Sequence, residues 1–416
     1  MLLLFVVSSL AVFAAGAPSA SPHIPALLDR SSAIGDSDPE LNLDTLGIIR
    51  RWGYPAEGHS ATTQDGYILE LHRIPHGKNE QSGGPRPVVF FQHGIEASSS
   101  NWVTNLPSES AAFLFADAGF DVWLGNFRGN TYSRLHRTLD PSSKAFWQWS
   151  WDQLAEYDLP VMIDTALSIS NQTKLYYVGH SMGTTTAFAK MSRDATFRSK
   201  IIKFFAMGPV ATVKSIQGLF HYIAEYLTTV ETILNIIDHN GEFLPHDWFL
   251  ELVAKYICGI EQEHNPLCQN VLFLIGGPDT HHFNTSRVPI YLAHTPAGTS
   301  SSLVIQFGQQ VRSGNYQMYD YGSAGKNQEH YGQSTPPLYD LTKVDVPTYL
   351  YWGQLDWLAD PTDIQTNLLT KLPHIVQNNH FSDFNHWDFI WGLAATDRIY
   401  SPIISVIKTD QLNVAH

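Results

Sequence analysis

Seven runs of large apolar, β-branched or aromatic residues punctuate the chain: GYILELHRI (66–74), PVVFFQHG (87–94), DVWLGNF (121–127), KLYYVGH (174–180), IIKFFAMGP (201–209), PTYLYWG (347–353) and HIVQNNHF (374–381). The middle runs are continuous rather than alternating, which predicts strands covered on both faces. Between them, apolar residues at three- and four-residue steps predict helices over 110–118, 159–168, 184–192, 361–372 and 387–408. Strand and helix in alternation imply an α/β fold with a mostly parallel central sheet and helices on both faces.

The alternation breaks between about 213 and 344. Ile216, Leu219, Phe220, Ile223, Leu227, Val230, Ile233, Leu234 and Ile237 form one long helical stripe, with Gly241 as its stop, and HDWFLELVAKYICG (246–259) forms another. The expected organisation is a first core segment over 18–212, an inserted helical cap over 213–344 and a second core segment over 345–416. Ordinary packing against the core accounts for most of the cap's apolar stripe.

The run at 174–180 stops at Gly179-x-Ser181-x-Gly183 and is followed by TTTAFAKMS. This is the pattern of a nucleophile elbow, in which a strand turns sharply into a helix and lifts a serine above the sheet; the glycines leave room for the tight turn. A serine hydroxyl is a weak nucleophile at neutral pH, so a base must take its proton and a third group must orient that base. In such folds the acid and then the histidine follow in later loops. The strand at 347–353 leads to Asp356, Asp360 and Asp363. The last two fit the N-cap and N3 positions of a helix starting at Pro361, which leaves Asp356 as the acid. Of the histidines after it, His374 and His380 fall in the last predicted strand, whereas His386 follows that strand and precedes the final helix. His386 is the expected base, with His380 the alternative, and Asp388 is read as helping to cap the final helix. The backbone N–H groups of Met182, after the nucleophile, and of Ile95, in the loop after the strand at 87–94, are the expected oxyanion donors.

Composition narrows the substrate and the compartment. The 416 residues are 44% hydrophobic, with 25 Lys and Arg against 39 Asp and Glu, a formal net charge of −14. That balance argues against nucleic acid or anionic lipid as partner and favours a neutral substrate. Residues 1–17 carry no charged side chain and contain an apolar stretch too short to span a bilayer, as in a secretory signal peptide. No later stretch is long and apolar enough to predict a transmembrane helix. In the secretory pathway Asn171 and Asn284 become candidate N-glycosylation sites. There a disulfide between Cys258 and Cys268 is the expected state, with free buried thiols the alternative. Neither a metal nor a cofactor is called for.

The strings WGYPAEGHSATTQDGYILELHRIP, QHGIEASSSNW, GNFRGNTYSRLH, FWQWSWDQLAEYDLP, GHSMGT, FNTSRVPIYLAHTPAGTS, LDWLADPTD and NHWDFIW resemble, in this order, the acid lipase family of the α/β-hydrolase superfamily. The resemblance runs from about residue 42 to near the C-terminus. It implies an α/β-hydrolase fold, a Ser181–Asp356–His386 triad, an oxyanion hole at Ile95 and Met182, the Cys258–Cys268 disulfide and a lid near 245–276. Met182 stands where well-known members carry glutamine, and Gly276 where they carry a third cysteine. The implied activity is hydrolysis of triacylglycerols or cholesteryl esters at a lipid–water interface, with transient interfacial contact, by a secreted or lysosomal protein. An acidic working pH follows from the resemblance alone. A soluble-ester carboxylesterase or peptidase on the same scaffold, and a non-catalytic lipid-binding protein, are the rival readings; the last predicts a broken triad. No protein partner is inferable.

Overall fold

The computed structural model describes residues 38–80, 83–225, 241–243, 272–273 and 275–414. The predicted signal peptide, both cysteines, the cap stripe beyond residue 225 and most of the expected lid lie outside the described residues.

The strands are β1 Glu57–Thr62, β2 Tyr67–Ile74, β3 Val88–Gln92, β4 Asp121–Leu124, β5 Leu135–His136, β6 Leu175–His180, β7 Ile201–Met207, β8 Glu242–Phe243, β9 Thr299–Ser300, β10 Thr348–Gly353 and β11 Ile375–Phe381. The main sheet runs β1-β2-β4-β3-β6-β7-β10-β11, with β5 paired to β2. β1, β4 and β5 pair antiparallel to β2, and every pairing from β4 to β11 is parallel. This is the mostly parallel sheet that the strand pattern predicts, in keeping with the α/β-hydrolase fold that the resemblance implies.

The uninterrupted apolar runs arise because successive side chains enter two different cores. Val88, Phe90, Leu175, Tyr177 and Phe204 pack with Leu159, Ile163, Phe188 and Met191 on one face. Val89, Phe91, Tyr176, Val178 and Phe205 pack with Phe113, Phe115, Ile403 and Ile407 on the other. Burying each such side chain contributes roughly 2 kcal/mol over leaving it in water.

The edges read less clearly. β1, EGHSAT, buries only Ala61 and carries no apolar run, so its pairing with β2 is not announced by its own sequence. β11 is the opposite edge and is mostly solvent-facing, which accounts for its Gln377, Asn378 and Asn379. The predicted final helix is broken: Asp388–Trp391 is a single turn, and a widened π turn at Thr396–Tyr400 leads into Ser401–Val414.

After β7 the chain does not rejoin the main sheet until β10. The described residues between them include the helices Gly218–Glu225, Val288–His294, Ser301–Ser313 and Ala324–Tyr331 and the antiparallel β8–β9 ribbon.

Candidate active site

Ser181 sits at the C-terminal end of β6, between that strand and the helix Met182–Arg193. Its backbone lies at φ +54°, ψ −122°, a region that non-glycine residues adopt only where the surroundings enforce it. The surroundings do so from both sides. The Ser181 N–H donates to the Met207 carbonyl at 3.1 Å, and the Ser181 carbonyl accepts from Thr184 Oγ1 at 2.6 Å, which itself accepts from Val210 N–H at 2.8 Å. The elbow is thereby sewn to the end of β7.

Gly183 passes directly over the end of β3: a Cβ there would stand 2.4 Å from the Gln92 carbonyl and 2.9 Å from that of His93. Gly179 is similarly tight, 3.0 Å from the Gly183 carbonyl. Any side chain at either position would push the helix off the sheet and carry Ser181 with it. Gly94 closes the third side, since a Cβ there would lie 3.0 Å from Ser181 Cβ. That contact sets the loop carrying Ile95 beside the serine.

Asp356 and His386 come together at the same ends of β10 and β11. His386 Nδ1 lies 3.0 and 2.9 Å from the two Asp356 carboxylate oxygens. Asp356 Oδ1 also accepts the backbone N–H groups of Leu358 and Ala359 at 2.9 and 2.8 Å. Both side chains are buried, and three donors converge on the carboxylate. The ring of His180, the residue preceding Ser181, packs 4.6 Å from that of His386, and its Nε2 donates to the His386 carbonyl at 3.1 Å. Burial, and secondarily the His386 charge, hold His180 well below the usual histidine range, so it is a neutral spacer.

The alternatives go elsewhere. His380 is exposed on β11, bonded to Gln354. Asp360 caps Thr362 N–H at 2.7 Å, as its position predicts, and Asp363 binds Thr212 and the Ser215 N–H. Asp388 helps to cap the final helix, as expected: its carboxyl reaches back to the Asn385 N–H at 2.7 Å and takes Thr280 Oγ1, while Asn385 Oδ1 receives the N–H groups of Trp387 and Asp388, a reciprocal capping box. Burial pushes the Asp388 carboxyl up to about 7.

Of the two expected oxyanion donors, Met182 follows the serine directly and Ile95 follows Gly94, where a Cβ would lie 3.0 Å from Ser181 Cβ. Met182 is the first residue of its helix, where an N–H has no intrahelical acceptor. Its side chain is buried within the apolar core, so the substituted position contributes packing, while its N–H stands outside the helix's own hydrogen-bond ladder. The Ile95 amide is aimed by His93. Phe127 N–H donates to His93 Nε2 at 3.2 Å, so the proton resides on Nδ1, which donates to the Gly94 carbonyl at 2.7 Å. In a trans peptide the C=O and the next N–H point in opposite directions, and fixing the Gly94 carbonyl fixes the Ile95 N–H. Burial holds His93 down to about 4, so it stays in this neutral tautomer.

Sequence reasoning did not single out His93, His180, Gly208 or Gly276 in these roles. A Cβ on Gly208, at φ +50°, would meet His386 and Asp356 at 3.3 and 3.4 Å, and the Gly276 carbonyl accepts the His386 N–H at 3.0 Å and the Trp357 N–H at 3.3 Å. A glycine at a strand end was the one available signal for Gly208. Asn171 is an exposed turn residue, whereas the half-buried Asn284 engages Glu109 and Ser286 through its amide.

A family described as "Partial alpha/beta-hydrolase lipase region" matches residues 45–106, and "alpha/beta hydrolase fold" matches residues 87–393. Lipase lipl-1 of Caenorhabditis elegans is 54% identical over 91% of this chain and 94% of its own length. Human gastric triacylglycerol lipase is 44% identical over 90% and 93%, and human lysosomal acid lipase/cholesteryl ester hydrolase likewise 44% over 90% and 93%. A putative lipase from Sulfolobus solfataricus, 14% identical, superposes with a TM-score of 0.54 over 85% of this chain and 99% of that one, a likeness of fold. With relatives of this identity along nine-tenths of its length, the chain belongs to the acid lipase family of α/β-hydrolases.

Proposed function

We propose that this protein hydrolyses the ester bonds of neutral lipids through Ser181, His386 and Asp356. The relatives' names, triacylglycerol lipase and cholesteryl ester hydrolase, set the substrate class. The observation that carries the residue assignment is the buried His386–Asp356 pair, locked by two backbone amides, with His386 packed on His180, the residue before a serine held at φ +54°.

Ser181 Oγ attacks the ester carbonyl carbon as His386 Nε2 takes its proton, and Asp356 holds the imidazolium through Nδ1. The tetrahedral oxyanion takes the N–H groups of Ile95 and Met182, each worth roughly 10²–10³ in rate. His386 returns the proton to the departing alkoxide, which leaves as the alcohol, either a diacylglycerol or a sterol. Water, deprotonated by His386, then attacks the acyl-serine; collapse frees the fatty acid and restores Ser181.

The 213–344 segment is read as the cap, supported by the chain's departure after β7 and return at β10. Its amphipathic stripes suit an oil surface. Among the described residues no helix is long and apolar enough to cross a membrane. The pair Cys258–Cys268, glycans on Asn171 and Asn284, and a secreted or lysosomal location complete the reading.

The test is Ser181→Ala, assayed on emulsified triolein and cholesteryl oleate. Turnover of both should be lost; unchanged turnover of either refutes the assignment.

A further inference from the structure

Glu96 directly follows the proposed oxyanion donor Ile95 and stands at φ +54°. It grips the segment before β9 twice: its main-chain carbonyl accepts the Ala297 N–H at 2.8 Å, and its Oε2 accepts the Gly298 N–H at 3.0 Å. The other oxygen, Oε1, is sealed from solvent with no hydrogen-bond donor among the described residues. A carboxylate in that setting leaves a charged oxygen unsolvated, whereas a carboxylic acid does not.

The neighbouring charges point the same way. Glu242 of β8 approaches Gly298, with Oε1 3.4 Å from where a Cβ on that residue would stand. Arg134 lies beside it, but its fork is taken bidentately by Glu242 and its plane stacks on Trp147. On the far side of Ile95, His93 is neutral. Glu96 therefore faces a second carboxylate, with the nearby guanidinium already engaged.

We propose that Glu96 is a positioning residue which, in its protonated form, fastens the Ile95-bearing loop to the Ala297–Gly298 segment, so that ester hydrolysis declines as Glu96 ionises. The proposal rests on Ile95 acting as an oxyanion donor. Burial, and then the Glu242 charge, push the Glu96 carboxyl well above its ordinary 4.5. For a carboxyl raised in the docked state, docking is fully favoured below the ordinary value and weakens as pH rises towards the docked one. Docking therefore contributes most to the rate in acid, and that contribution falls away on the alkaline side.

The test compares wild type with Glu96→Gln and Glu96→Ala on a soluble short-chain ester across pH. Glutamine keeps the acceptor for Gly298 N–H but cannot ionise. It should retain the acid-side kcat and move the alkaline limb up by about one pH unit, on the order of a tenfold rate gain at a pH where wild type has declined. Alanine should lower kcat at every pH with KM little changed. Amide hydrogen exchange at Ala297 and Gly298, read at each pH as the ratio of wild type to Glu96→Gln, reports docking without using catalysis. Coincident alkaline limbs together with a pH-independent exchange ratio overturn the proposal. A pH-dependent ratio with coincident limbs also overturns the positioning role, and locates the failure in the Ile95 assignment rather than in the docking contact. Thermal unfolding of each variant at acid pH separates misfolding from these outcomes.

Discussion

Replacing Gly276 by alanine tests whether the proposed acid and base depend on a residue far from both in sequence. The Gly276 carbonyl receives the N–H of His386 and of Trp357, the residue after Asp356, so one peptide unit holds the two loops in register. An added Cβ would lie 2.3 Å from Trp387 Nε1 and 2.6 Å from Cδ1, where ordinary contact begins at 3.4 Å. The clash requires a displacement of about 1.1 Å, the difference between those two distances. The indole cannot simply swing away, because Nε1 donates to the Leu272 carbonyl at 2.7 Å and the ring stacks on Trp391. The displacement therefore reaches the His386 loop. A misplacement of about 1 Å at a reacting group costs on the order of 10²-fold, or about 2.7 kcal/mol of transition-state stabilisation. The assay is kcat and KM on a soluble short-chain ester, where interfacial binding plays no part. Gly276→Ala should lower kcat about 10²-fold with KM nearly unchanged, and Trp387→Phe added to it should recover part of the loss by removing the five-membered ring. An unchanged kcat, or a loss confined to KM, would refute the reasoning.

Other outcomes follow from the same geometry. Asp356→Asn keeps an oxygen for the Leu358 and Ala359 amides but turns an NH2 towards His386 Nδ1, forcing the wrong tautomer; kcat should fall about 10⁴-fold with the fold intact by circular dichroism. His93→Phe preserves an aromatic ring while removing the bond that fixes the Gly94 carbonyl. It should cost roughly 10²–10³ in kcat, comparable to losing one oxyanion donor, with little change in KM.

Much of the site was legible because local chemistry dictates it. Gly179 and Gly183 are required wherever a strand must turn into a helix this tightly, and the 2.4 Å approach to Gln92 shows how little space is left. Asp360 announced itself as a cap by preceding Pro361, which freed Asp356 for another role. The two-faced burial of β3 and β6 was written in their unbroken apolar runs. β1 was not legible, because an edge strand with one buried residue gains its order from β2 rather than from its own pattern. The final helix was read as continuous because periodicity carries no marker for a break at Gly392 and a π turn.

The chain's own pattern was enough for the central strands and the helices between them, the elbow, and which serine, aspartate and histidine were available, since these depend on residues close together in the chain. Tertiary structure alone decided what holds them: His93 aiming the Ile95 amide, His180 spacing His386, and the Gly276 carbonyl joining two loops about 30 residues apart. Each of these depends on a partner remote in sequence: Phe127 N–H sets the His93 tautomer, His386 packs on His180, and the Gly276 carbonyl meets Trp357 and His386. A carbonyl has the same chemistry at every position, so only the fold determines which amide it meets.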